Sequence, residues 1–539
     1  MLKFVSTGVS LALAVAIVKG DDANSNGTAI TGPALQRIAY AGPDGFSISW
    51  STPSKVDSPV VSYGPSASQL SLSATGVSQT YENSPSWDNH VLLSGLNSNT
   101  TYFYKIDGDS TGVRNFTTSL NAGSTDAFVF AMVNDMGTFG NLGLSSVAGK
   151  GEGGLLQPGE INTIQSLANF TNDYQFIWHV GDIAYADYWL KEENQHYLPN
   201  STIADGFEVY NSILNAFYDE ISVLTSAKPY LVGPGNHDGD CIDGSFDATV
   251  WGETFNSSIC APGQKNFTGY SSHWRMPSNE SGGVGNMWYS FDYGSVHFVQ
   301  ISTETDFADG IIAPDELGGI QGADSGPFGA KNEQVNWLTN DLQNVDRSKT
   351  PWVIVGGHRP WYQPDGDGCW ECQASFEKIL VDNNVDLIVH GHVHNYQRLD
   401  PLAFNETDSN GLDNPSSPWY IINGFGGHYD GTDKLVYPLL NYTAFAQDTA
   451  YGWSKFTVHN CTHITHEFIS SSNGSVLDTA TLFKDRQCTV SQLSNTSTSN
   501  TSSSTPSTVP TSTEESIASK HAISSYAMAS LAVFVLFWI

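Results

Sequence analysis

Basic residues are scarce in this 539-residue chain: 22 Lys and Arg stand against 55 Asp and Glu, a formal net charge of −33. A nucleic-acid partner needs a basic footprint to displace counterions from its phosphates, so the deficit excludes that class. The acidic surplus keeps the chain soluble near neutral pH. Its self-repulsion fades as carboxylates protonate, which fits an acidic milieu. Cysteine is sparse too. Cys241, Cys260, Cys369, Cys372, Cys461 and Cys488 allow fifteen connectivities, and pairing of sequence neighbours is the expectation. Cys369-Trp370-Glu371-Cys372 has the spacing of a redox pair, but the thioredoxin-like context is missing. After Cys488 the apolar periodicity stops. Residues 489–521 are rich in Ser and Thr, a composition that cannot bury a core and suits O-glycans.

Long apolar runs are confined to the two ends. Residues 1–20 read as a secretory signal, with Lys3 before the stretch Phe4 to Val18. Residues 522–539 close the chain with an apolar tail behind the polar spacer, which reads as a GPI-anchor signal; a membrane helix is the alternative, and the run is short for one. Secretion permits disulfides. It also gives meaning to fourteen Asn-x-Ser/Thr sequons, from Asn26 to Asn500, which predict a surface carrying N-glycans. The expected location is outside the cell, at the surface or in the wall.

Between the ends the chain changes character once. Residues 33–119 are all-β: Phe46–Trp50 and Thr101–Ile106 alternate, and Pro43-Asp44-Gly45 and Asn97-Ser98-Asn99 mark turns. With Trp50 early and Tyr102 and Tyr104 late, this segment resembles a fibronectin type III-like sandwich, read as a packing module without chemistry. Residues 126–485 alternate apolar runs with helical faces, such as Ile161, Ile164, Leu167 and Phe170; Ile213, Leu214, Phe217 and Ile221; and Val335, Leu338 and Leu342. The fold class is therefore α/β, an N-terminal β-sandwich followed by a layered α/β domain.

Five of the apolar runs end in side chains that bind metals. Phe128–Val133 leads to Asp135-Met136-Gly137, Phe176–Val180 to Gly181-Asp182-Ile183-Ala184-Tyr185, and Tyr230–Val232 to Gly235-Asn236-His237. Trp352–Val355 leads to Gly356-Gly357-His358, and Leu387–Val389 to Gly391-His392-Val393-His394. Ligands in layered α/β folds sit beyond the carboxyl ends of such buried strands, so the five ends can converge. Carboxylate and phenolate oxygens suit Fe(III) or Mn, and imidazoles suit Zn or Fe(II). Asp135, Tyr185 and His394 with a bridging Asp182 would make an oxygen-rich site. Asn236, His358 and His392 with the same Asp182 would make a softer divalent one. A pair of ions about 3.5–4 Å apart can activate water and clamp phosphoryl oxygens.

In this order the DxG, GDxxY, GNH, VxxH and GHxH motifs resemble the purple acid phosphatases, in their large form with an N-terminal β-sandwich. The resemblance runs from about residue 33 to 485 and includes Tyr289–Phe298 and Gln334–Leu338. It implies a calcineurin-like metallophosphoesterase domain, two mixed sheets in a βαβαβ sandwich flanked by helices. It assigns Asp135, Asp182, Tyr185 and His394 to Fe(III), whose phenolate ligand gives a purple colour. Asp182, Asn236, His358 and His392 go to Zn, Mn or Fe(II). The implied reaction is hydrolysis of phosphate monoesters by a metal-bound hydroxide. Asn236 and His237 would bind substrate, and His237 would bind phosphate or protonate the leaving group. Plant members carry a histidine pair after VxxH, whereas Arg359–Cys372 here has no histidine. His428, in Gly424-Phe-Gly-Gly-His428, is the candidate to compensate, with Asp365, Asp367 and Glu371 behind it. His179 and His297 read as strand residues. A phosphodiesterase or nucleotide-pyrophosphate hydrolase on the same scaffold would be expected to lack Tyr185. A non-enzymatic wall or adhesion protein should have lost ligands, and none of the seven is missing.

Overall fold

The computed structural model describes residues 30–139, 160–190, 202–239, 241, 260–320, 324–363, 368–427 and 432–488. The N-terminal sandwich pairs two antiparallel sheets. One runs β1 (Ala34–Tyr40), β2 (Phe46–Thr52), β6 (Trp87–Leu93), β5 (Val77–Gln79). The other runs β4 (Leu72–Thr75), β3 (Val60–Gly64), β7 (Thr101–Ile106), β8 (Arg114–Thr117). Alternation sets which face is covered: Tyr102, Tyr104 and Ile106 are buried, and Thr101 and Lys105 are exposed. Phe46 and Phe116 stack across the two sheets with ring centres 3.8 Å apart.

The sandwich docks on the rest of the molecule through charge as well as apolar surface. Arg37, buried, pairs with Asp88 at 2.9 Å and donates from Nε to His273 O at 2.7 Å. Its guanidinium lies over the rings of Tyr218 and Trp274.

Two mixed sheets follow. In the first, β9 (Phe128–Val133), β10 (Phe176–Val180) and β11 (Tyr230–Gly233) are parallel. β21 (Gly452–Val458), β22 (His463–Ser470) and β23 (Val476–Phe483) extend it antiparallel from β9. The second has the order β12 (Tyr289–Tyr293), β13 (Val296–Gln300), β14 (Trp352–Gly356), β15 (Leu387–His390), β19 (Trp419–Asn423), β16 (Tyr396–Leu399), β20 (Thr443–Gln447). Its β13, β14, β15 and β19 are parallel. A short ribbon joins β17 (Leu402–Ala403) to β18 (Glu406–Thr407). β10, β11, β14 and β15 are buried along their whole length, as their unbroken apolar runs require. Aromatic rings fill the space between the sheets. Phe130 and Phe176 meet Phe298 edge-on at 5.1 and 5.4 Å, and Trp178 Nε1 donates to Gln300 Oε1 at 2.9 Å.

Helices α1 (Thr163–Asn169), α2 (Gly206–Thr225) and α3 (Glu333–Gln343) bury the faces read from the sequence, except at the two ends of the first, where Phe170 is the half-buried C-cap of α1. Ile161 is exposed and precedes α1. Asn162 is the cap instead: its Oδ1 accepts from Gln165 N at 2.8 Å, and Gln165 Oε1 accepts from Asn162 N at 3.1 Å. The three disulfides join sequence neighbours, Cys241–Cys260, Cys369–Cys372 and Cys461–Cys488. Among the described residues no helix is long and apolar enough to cross a membrane.

Candidate metal centre

Four of the residues at the strand ends hold left-handed backbone: Asp135 (φ 55°), Asp182 (52°), Tyr185 (52°) and His392 (68°). None is glycine, and each such position costs about 1–3 kcal/mol. Fixed contacts hold them there. Asn134 ties four strand ends together: Oδ1 accepts from Val180 N at 2.6 Å, and Nδ2 donates to His390 O and Asn423 O, both at 3.1 Å. Asp238 accepts from Gly235 N at 2.9 Å and from Asp182 N and Ile183 N at 3.1 Å. Glycines give the room. A Cβ on Gly181 (φ +102°) would lie 2.7 Å from His358 Nδ1, and one on Gly235 would lie 2.3 Å from Asp182 N and Oδ1.

These loops bring the predicted residues together. The Tyr185 hydroxyl lies 3.0 Å from Asp135 Oδ1, 3.2 Å from Asp182 Oδ2 and 2.9 Å from His394 Nε2. On the other side of Asp182, His358 Nε2 approaches Oδ2 at 2.9 Å. Donor atoms of Asp182, His358 and His392 all lie within 4.8 Å of one another. Asn236 is buried, and its Oδ1 has no hydrogen-bond partner among the described residues. A buried amide oxygen left so is unusual, and a cation is one way to satisfy it. The next residue, His237, donates its backbone N–H to Asp182 Oδ1 at 2.8 Å. Its ring is stacked on Tyr185, and its Nδ1 is 2.6 Å from Asp187 Oδ2.

The electrostatics describe a pocket short of positive charge. Asp135 and Asp182 are both fully buried. Burial alone would raise the Asp182 carboxyl, but His358 and His237 outweigh it and hold it well below the usual range. Burial alone would lower His358, yet Asp182 and Asp135 push it up to about 9. Burial, with Asp135 and Asp182 beside it, keeps the Tyr185 phenol well above its ordinary value. Buried carboxylates beside imidazoles and a phenol make a donor set that fits a metal cation.

Three family profiles match this chain. That of the calcineurin-like phosphoesterases covers residues 128–396, and those of the purple acid phosphatase N-terminal domain and the iron/zinc purple acid phosphatase-like protein C cover 33–118 and 417–479. Acid phosphatase A of Cryphonectria parasitica is 35% identical over 501 residues, 88% of this chain and 96% of that one. The chain belongs to the purple acid phosphatase family. It is an enzyme of the phosphatase class. An acid phosphatase of Aspergillus ficuum is 32% identical, covering 82% of this chain and 85% of that one. The purple acid phosphatase of yellow lupin seeds has the same fold, with a TM-score of 0.63 at 20% identity over 84% of this chain and 75% of that one.

Some site residues escaped the sequence reading. Asn134 and Asp238 act on backbone, Asp187 orients His237, and Asp433 Oδ2 accepts from His394 N at 2.8 Å. Asp187 and Asp238 sit within two residues of motif positions, which is the signal that points to them. His179 is a buried strand residue bonded to Tyr230 Oη and Asp182 O, and His297 lies in β13 between Asp292 and Asp341. Glu304 is buried and paired with Arg359. Glu371 is buried. His428, Asp365 and Asp367 lie outside the described residues, as do the signal segment, the stalk and the tail.

Proposed function

We propose that this phosphatase is a secreted, surface-anchored enzyme that hydrolyses phosphate monoesters at a dinuclear centre of Fe(III) and Zn, Mn or Fe(II). The observation that carries this is the convergence of two buried carboxylates, a phenol and three imidazoles from four strand ends. Asp135, Tyr185 and His394 with Asp182 would hold the ferric ion, and Asn236, His358 and His392 with Asp182 the divalent one. When bound, such ions would lower the pKa of an attacking water and neutralise phosphoryl charge. The chain supplies the rest. Asp182 stands between the halves of the site: Oδ2 lies 3.2 Å from Tyr185 Oη and 2.9 Å from His358 Nε2, and Oδ1 accepts from His237 N. Asp187 fixes the ring of His237 from Nδ1 at 2.6 Å, and His237 is proposed to steady the charge of a bound phosphoryl group. His428 is proposed to protonate the leaving group.

The test is Asp182→Asn. Expressed from the full coding sequence, the variant should lose both metals and activity together, because neither half keeps its shared charge. Retention of two ions and near wild-type turnover would end the dinuclear reading. Phosphatidylinositol-specific phospholipase C should release wild type and variant alike from cells. Protein that stays bound and retains Trp538 and Ile539 is anchored by a membrane helix instead.

A further inference from the structure

The residue after His358 is an arginine with unmet hydrogen-bonding capacity. Arg359 is 3% exposed. Its Nε donates to Glu304 Oε2 at 2.6 Å, and Nη1 to His392 Nε2 at 3.1 Å. Nη2 has no hydrogen-bond partner among the described residues, and Asp315 Oδ1 is 3.8 Å away, too far for one. Thr303 pins the start of the residue by accepting from Arg359 N at 2.9 Å, and it donates to Glu304 Oε1. An arginine buried only for its ion pairs with Glu304 and Asp315 would be expected to hydrogen-bond through both η nitrogens, since a buried N–H left open is costly.

Metal loading, on the reading proposed above, opens the second nitrogen as well. A neutral imidazole has one lone pair. In the arrangement seen here His392 Nε2 spends it on Arg359 Nη1, because the guanidinium can only donate. If His392 gives that lone pair to an ion through either nitrogen, Nη1 loses its acceptor. Two N–H groups of one fixed planar fork then lack partners beside the divalent half of the site. A phosphoryl group offers the anionic oxygens that match such a fork.

We infer that Arg359 is a substrate-binding residue, taking two non-bridging oxygens of the phosphoryl group of a phosphate monoester or of inorganic phosphate. It holds charge without supplying a proton. Its contribution is therefore the same whatever the leaving group, unlike that of a general acid. Glu304 is the positioning residue that keeps the fork in place.

The experiment uses the metal-loaded full chain, with inorganic phosphate as the probe in calorimetry. Metal content and thermal unfolding are measured beside it. The variants are Arg359→Lys and the double change Arg359→Met with Glu304→Gln, which neutralises the carboxylate bonded to Nε together with the guanidinium. In the double variant phosphate affinity should fall about 10- to 100-fold, the size of a hydrogen bond between charged groups. kcat/KM should fall by a similar factor on nitrophenyl and alkyl phosphates alike, with metal content unchanged. Should the double variant not fold, Arg359→Lys carries the test through a smaller loss of the same pattern. Unchanged phosphate affinity would overturn the inference. So would a loss that follows loss of metal, since Arg359 would then only steady His392. A wild type that loads metal but neither binds phosphate nor cleaves monoesters would refute the phosphatase reading itself, and this inference with it.

Discussion

Tyr185 is the residue on which the most turns, because one phenol oxygen contacts two carboxylates and an imidazole drawn from three strand ends. The residues legible in the sequence are those that follow an apolar run at fixed spacing. Their partners were harder to read. Asn134 and Asp433 act across long stretches of chain through side-chain hydrogen bonds to backbone, and no spacing announces such a contact. Arg359 stood in plain view as the first residue of a loop noted for lacking histidine, yet its role depends on which nitrogens are bonded. The same missing histidines bear on leaving-group protonation. If His428 is the acid, His428→Ala should slow alkyl phosphate hydrolysis by about 10²–10⁴-fold and nitrophenyl phosphate hydrolysis far less, since that leaving group needs little help. Equal, small losses on both would return the search to Glu371, Asp365 and Asp367.

Elements explain why the site is precise. Fully buried parallel strands announce themselves as continuous apolar runs, and β10 was read at both ends as the structure has it, Phe176–Val180. β11, β14 and β15 each extend one residue beyond the expected end, to Gly233, Gly356 and His390, because backbone pairing continues after the apolar run stops. The start of α1 shifted for the opposite reason: a local cap at Asn162 overrides the periodicity that included Ile161. The glycine before each ligand pair belongs to this scale. Gly235→Ala would drive a methyl into Asp182, and overpacking of that kind typically costs about 1–3 kcal/mol. The variant should show a lower unfolding midpoint and a reduced metal content. A variant that keeps both would show that the β11 loop has slack the structure does not suggest.

At the scale of the whole molecule, buried histidines set how stability follows pH. Burial lowers His90 to about 4 and His466 to about 3, so both stay neutral in the folded chain. The unfolded chain takes up those protons below about pH 6.5. Stability is therefore complete above that pH and declines as pH falls toward 4 and then 3. His297 works in the other direction. Burial would lower it, but Asp292 and Asp341 outweigh burial and raise it to about 9. Its contribution is complete below about pH 6.5 and is lost as pH rises through 9. For these three groups together the unfolding midpoint should peak near neutrality, and His297→Gln should flatten only the alkaline limb. An alkaline limb unchanged by that substitution would show that the clasp between β13 and α3 contributes nothing. The central claim, however, is the dinuclear centre with its tyrosine. It is tested most directly by metal analysis of the purified protein alongside its visible spectrum. The account predicts two ions per chain, at least one of them iron, and a purple or pink colour that Tyr185→Phe bleaches. A colourless, iron-loaded wild type, or full activity with a single ion, would contradict it.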